Sequence, residues 1–269
     1  MIEIKNVSKR YKDKTALSDC NITIPKGQII GLFGANGAGK TTLMKCIMGF
    51  LTFEGEITLD GEKIDSSNIY RLSYATGDHS FFPSITADDH KLFYKMQFPK
   101  FNEKRYEALM EFFELPTKKR LSDFSLGQQN QFEVILALSQ GADYIFMDEP
   151  FSGSDMLNRE DFYKVLMGII GENETIFLST HLIEEVAGFI SRAILIREGR
   201  IIGDVHIEEL EEIAMQVLSQ SNGDELDEEA LGDVSGGITL FNPRVLYPIP
   251  RIPRGCGLNL WRWMQQRRR

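Results

Sequence analysis

The nine residues from Gly31 to Gly39 hold four glycines and run straight into Lys40-Thr41-Thr42, giving GLFGANGAGKTT. Glycine loses more conformational freedom on folding than any other residue, so this density suits neither a helix interior nor a strand interior. It suits a backbone that must come close to something else. Gly34, Gly39, Lys40 and Thr41 satisfy the spacing G-x-x-x-x-G-K-[ST], with Gly37 between them. In that pattern successive backbone N–H groups wrap a phosphate chain that a Cβ would push away. GQIIGLFG ahead of the loop reads as a short apolar strand, and TTLMKCIMGF after it places Leu43, Ile47 and Phe50 on one helical face, ending near Gly49. The predicted unit is strand, glycine loop, helix. The helix aims its positive end at the phosphates, Lys40 reaches the β- and γ-groups, and the Thr41 hydroxyl ligates Mg²⁺. Ala35, Asn36, Ala38 and Thr42 complete the expected phosphate-binding loop.

The rest of the chain supplies a sheet for this unit. MIEIKNVSKRY and LSDCNITIP alternate apolar and polar residues, which predicts an antiparallel start. ADYIFMDEP and ETIFLSTH are apolar throughout and predict buried parallel strands. Helical periodicity covers Tyr94 to Leu115 and Gln128 to Ser139, so a helical insertion interrupts the α/β sheet. The strand YIFMD ends in paired carboxylates: Asp148 is expected to hold Mg²⁺ through water, and Glu149 to polarise the attacking water.

The order and spacing of these motifs resemble the nucleotide-binding domain of ATP-binding cassette (ABC) proteins, from about Ile2 to Gly203. The resemblance implies a P-loop NTPase core with a mostly parallel sheet, an N-terminal antiparallel β subdomain and an inserted α-helical subdomain at about 78–140. DFSLGQQNQ looks like the family's signature loop, so Ser125, Gly127 and Gln128 would touch the γ-phosphate of ATP bound to a partner subunit. A hydroxyl, bare backbone and a helix start make a second anion site. SGSD sits where the family has its D-loop, with Asp155. LSTHLIEEV places His181 as the switch histidine, a catalytic residue beside Glu149 and Lys40, and Tyr11 matches the aromatic on which adenine stacks.

Two positions depart from that pattern. Leu126 replaces the first glycine of the signature loop. Gly77 falls where the family has a glutamine that helps bind Mg²⁺, which leaves Asp78 to substitute after a small backbone shift, or a loop coupled less tightly to the γ-phosphate. Slowed hydrolysis is the expectation.

The resemblance implies a head-to-tail dimer with a second ABC ATPase subunit, identical or not, and a transmembrane permease subunit docking near Gly77–Ser84. HSFFPS would line that groove, or Phe81 and Phe82 would pack the helical subdomain. An exporter subunit is the expected role. The alternative is a soluble ABC ATPase serving, for instance, cluster assembly.

Composition narrows the partners. Hydrophobic residues make up 42% of the 269, enough for a core, and the net charge of −9 argues against nucleic acid. Cys20, Cys46 and Cys256 lie far apart, and the four histidines do not cluster with them, so no disulfide framework or zinc site is expected. No apolar run is long enough to span a bilayer, and the start lacks a signal-peptide core. The expected location is the cytoplasm, peripheral on the inner face of the cell membrane. Beyond the ATPase domain at 1–206, residues 207–233 read as an acidic helix, Ile207 to Leu218, and linker. Residues 234–269, with Trp261, Trp263 and only arginine as base from Arg244 onward, read as a disordered tail with no assigned function.

Overall fold

The fold is taken from a computed structural model, which describes residues 1–150, 166–180, 186 and 188–207. Ile2–Tyr11 (β1) and Lys14–Ile24 (β2) pair as an antiparallel hairpin whose inward residues include Ile2, Ile4, Val7, Leu17, Ile22 and Ile24. Glu54–Leu59 (β4) joins the other side of β1, and the two-residue Glu62–Lys63 (β5) closes a sheet of order β2-β1-β4-β5.

The second sheet has a different burial pattern. Ile29–Phe33 (β3), Tyr144–Asp148 (β7) and Thr175–Thr180 (β8) are buried at every position, as a parallel sheet covered on both faces requires. With Leu72–Thr76 (β6), Arg192–Arg197 (β9) and Arg200–His206 (β10), the order is β10-β9-β3-β8-β7-β6, parallel throughout except the β9–β10 edge. Period-two alternation splits its side chains between two cores. Tyr144 and Phe146 pack with Leu43, Met44 and Ile47 of Lys40–Ile47 (α1), between that helix and the antiparallel sheet. Ile145 and Met147 pack on the opposite side, against the helices inserted between β6 and β7.

Those helices are Ala87–Gln97 (α2), Glu103–Phe112 (α3) and Leu126–Ser139 (α4). The helix expected from Tyr94 to Leu115 is therefore two. Pro99 lacks the N–H a continuing helix needs, and the Asn102 side chain accepts from the Arg105 N–H at 3.0 Å to start α3. Capping boxes begin the other two, Thr86 with Asp89 and Ser125 with Gln128. The second places the start of α4 at Leu126, two residues before the expected Gln128. α1 also differs from expectation at its end: it stops at Ile47, Gly49 takes the left-handed φ of 73°, and Phe50 turns outward, 61% exposed, instead of joining the inner face.

Phe132 centres the helical layer. Its ring meets Phe81, His90, Tyr106 and Phe124 at centroid distances of 5.4–6.3 Å, mostly edge to face. Arg105 ties this layer to the sheet by a bidentate pair with Glu174, both contacts 2.8 Å, and by donating to the carbonyls of Leu138 and Ile169.

Fully buried His90 completes the packing with both ring nitrogens used. Nε2 accepts from the Phe82 N–H at 2.9 Å, so Nδ1 carries the proton donated to the Thr86 carbonyl at 2.8 Å. Burial holds its pKa below the ordinary value of about 6.5. The unfolded chain then binds the proton more readily, so the stabilisation is intact above the unfolded pKa and is lost as pH falls through the folded one. NMR titration of the His90 ring is predicted to give a midpoint below 6.5, with unfolding free energy declining on acidification through that range. A midpoint at or above 6.5 contradicts this.

Candidate functional site

The parallel strands deliver their C-terminal ends to one edge. Asp148 lies opposite Thr76 on one side and Ser179 on the other, and Phe33 lies opposite Thr180. Open parallel sheets place ligands at this edge.

The glycine loop leaves the sheet here. A Cβ on Gly34 would strike the Ile196 carbonyl oxygen, and one on Gly39 would lie 2.8 Å from the Ala16 carbonyl oxygen, so the loop runs tight against β2 and β9. Gly39 caps α1 in the left-handed region, φ 115°, with no side-chain cap, and no acid stands in the first turn. The N–H groups at that helix start are thus left to an outside acceptor, and no negative side chain competes with an anion. Ala35, Asn36, Gly37 and Thr41 are exposed, Thr42 is half-buried, and Ala38 and Lys40 are buried.

Lys40 connects loop and carboxylates. Its ammonium donates to the Gly34 carbonyl at 2.6 Å and the Ala35 carbonyl at 3.4 Å, and pairs with Glu149 Oε1 at 3.3 Å. Glu149 adopts φ 48°, rare for a residue with a side chain, and is held there by its N–H, which donates to the Ser179 carbonyl and hydroxyl at 3.2 and 3.1 Å. Buried Asp148 accepts from the Ser179 hydroxyl at 2.6 Å and from the Tyr74 hydroxyl at 3.1 Å. Burial, reinforced by the Asp148 charge, pushes the Tyr74 phenol well above its ordinary pKa, so it remains a donor.

The donor set near Asp148 suits one kind of ion. Among the described residues no three histidine, cysteine, aspartate or glutamate side chains gather as a metal site. A carboxylate beside a threonine-bearing phosphate loop matches Mg²⁺, which prefers one or two protein oxygens together with substrate phosphates.

The other expected residues fall elsewhere. Ser125 and Leu126 are exposed at the start of α4, with Gly127 and Gln128 half-buried behind them. Tyr11, 44% exposed at the end of β1, has the Lys9 ammonium 5.2 Å from its ring centre. His181 and Asp155 lie outside the described residues, as do residues 208–269. Around Gly77 the two aromatic alternatives divide: Phe81 is buried against Phe132, whereas Phe82 is 51% exposed and meets Phe93 edge-on.

Sequence reading passed over a set of polar residues that grip this loop from α4. Glu133, 2% exposed within the apolar run FEVILALS, accepts the Ser80 N–H on both carboxylate oxygens, and burial raises its pKa. His79 Nε2 lies 2.7 Å from Asn130 Oδ1. An acid inside an apolar helical run was the available signal. Asp78 meanwhile turns to Lys45 of α1 at 3.2 Å.

Gly77 itself is exposed, its φ is ordinary, and a Cβ there meets nothing within 4 Å. Gly77→Gln is therefore predicted to fold normally and to raise ATP turnover about tenfold, the worth of one charge-assisted contact of about 1.5 kcal/mol. An unchanged ATPase rate contradicts the idea that this glycine limits hydrolysis.

Comparison with known proteins agrees with the fold. The family description "ABC transporter" matches residues 17–152. The bacitracin transport ATP-binding protein BcrA of Enterococcus faecalis is 30% identical over 219 residues, 78% of this chain and 70% of that protein. The SkfA peptide export ATP-binding protein SkfE of Bacillus subtilis is 28% identical over 221 residues, 80% of this chain and 92% of that one. Among solved structures, the ATP-binding subunit of an ABC transporter superposes with a TM-score of 0.70 at 24% identity, covering 86% of this chain and 98% of that one. The chain belongs to the ABC transporter family, as one of its nucleotide-binding domains.

Proposed function

We propose that this protein is the ATP-hydrolysing subunit of an exporter, dimerising on ATP to drive separate membrane subunits. The observation that carries the reading is the Lys40 ammonium, buried at the loop mouth and shared between the loop carbonyls and Glu149. Those contacts hold the ammonium at the loop, beside the carboxylate. A nucleotide γ-phosphate in the loop offers it a doubly charged partner in place of the Glu149 carboxylate. Glu149 then orients the water that attacks the γ-phosphate, while Lys40 and the N–H groups at the start of α1 stabilise charge on the transferred group. Thr41 and Asp148 would hold Mg²⁺, which would supply charge neutralisation on the phosphates. Tyr11 supports the adenine, and His181 contacts the γ-phosphate.

The signature residues Ser125, Gly127 and Gln128 serve the nucleotide of the partner subunit, and Asp155 serves as the D-loop residue. Leu126, 62% exposed, stands on that surface. The permease docks near Gly77–Ser84, where Phe82 is exposed and Glu133 ties the segment to α4. The relatives named for bacitracin transport and peptide export support peptides or similar compounds as the cargo. Among the described residues no helix is long and apolar enough to cross a membrane. In this reading the spanning parts are separate permease subunits, and this domain is peripheral on the inner face of the membrane.

Light scattering on Glu149→Gln tests the reading. With Mg-ATP its mass is predicted to double relative to the nucleotide-free protein, and Lys40→Ala should abolish the shift by removing the phosphate ligand. A Glu149→Gln protein that binds ATP but stays monomeric contradicts self-association.

A further inference from the structure

Each oxygen of the Asp148 carboxylate receives one hydroxyl, and the two donors come from the strands on either side. Ser179 of β8 donates to Oδ1 at 2.6 Å and Tyr74 of β6 donates to Oδ2 at 3.1 Å. A carboxylate anchored at both oxygens has its rotation fixed, and it retains lone pairs for further ligands. The Ser179 hydroxyl also accepts the Glu149 N–H, so one side chain sets both acids. Tyr74 is half-buried, with Phe50 edge-on to its ring at 5.9 Å, which fixes the ring that carries the hydroxyl.

We propose that Tyr74 and Ser179 are positioning residues that hold Asp148 in the orientation that binds Mg²⁺. Outer partners of a metal-binding carboxylate govern affinity through orientation, and losing one typically costs 10–100-fold. Tyr74 lies three residues before Gly77, on the strand that feeds the loop lacking a side-chain ligand. Its phenol gives that strand a direct contact with the metal-binding carboxylate where residue 77 offers none. This rests on the ATPase reading above.

The test follows Mn²⁺, as a stand-in for Mg²⁺, by electron paramagnetic resonance on protein holding a non-hydrolysable ATP analogue. Tyr74→Phe keeps the ring and removes only the hydroxyl. It is expected to weaken Mn²⁺ binding about tenfold while leaving analogue affinity in EDTA unchanged, and excess Mg²⁺ should restore its turnover. Ser179→Ala should weaken Mn²⁺ binding similarly, with Ser179→Thr restoring it; if a change at Ser179 prevents folding, Tyr74→Phe decides alone. Unchanged Mn²⁺ affinity in Tyr74→Phe overturns the role of Tyr74. Equal losses of analogue affinity with and without metal overturn it too, because they indicate a general structural effect. A parent protein that binds no ATP analogue overturns the ATPase reading itself, and this inference with it.

Discussion

The parallel register of four neighbouring strands is the constraint on which the site depends. Because β6, β7, β8 and β3 run in the same direction and in step, Thr76, Asp148, Ser179 and the exit of Phe33 into the glycine loop arrive at one edge. A shift of one residue in β7 would turn Asp148 toward the opposite face and exchange the partners of Phe146 and Met147 between the two cores. The same burial that stabilises the sheet therefore sets the position of the carboxylate.

Around that edge, strain and charge are compensated locally. Glu149 is kept in a left-handed conformation by two hydrogen bonds to Ser179, and the Lys40 ammonium finds three oxygens within 3.4 Å. Backbone strain of this kind costs about 1–3 kcal/mol and persists only where the surroundings fix it. Here the surroundings also hold both acids beside the phosphate loop.

Much of this was legible in the sequence. Strand, loop and helix at Gly31–Ile47 follow from local chemistry, since glycine spacing and apolar periodicity act within a few residues. The buried strands ending at Asp148 and Thr180 were equally readable, because parallel strands covered on both faces carry continuous apolar runs. What escaped depended on contacts distant in sequence. Tyr74 reaches Asp148 across 74 positions and Glu133 holds Ser80 across 53, and neither spacing leaves a periodic trace. Phe50 misled for the same reason, and the two readings left open for Phe81 and Phe82 could not be told apart. Hydrophobicity marks a side chain for burial without saying which neighbour covers it, so Phe50 ended outside and Phe81 found Phe132. The break at Pro99 was a local signal that the long helical period across Tyr94–Leu115 obscured.

The central claim is that a nucleotide held by the loop is hydrolysed with Glu149 as the base. Release of γ-phosphate at saturating Mg-ATP, compared between the parent protein and Glu149→Gln, tests it most directly. General-base catalysis is worth about 10²–10⁴-fold, so the account predicts that turnover in Glu149→Gln falls by at least about a hundredfold with ATP affinity retained. Turnover equal to that of the parent would contradict it and assign the base to another group.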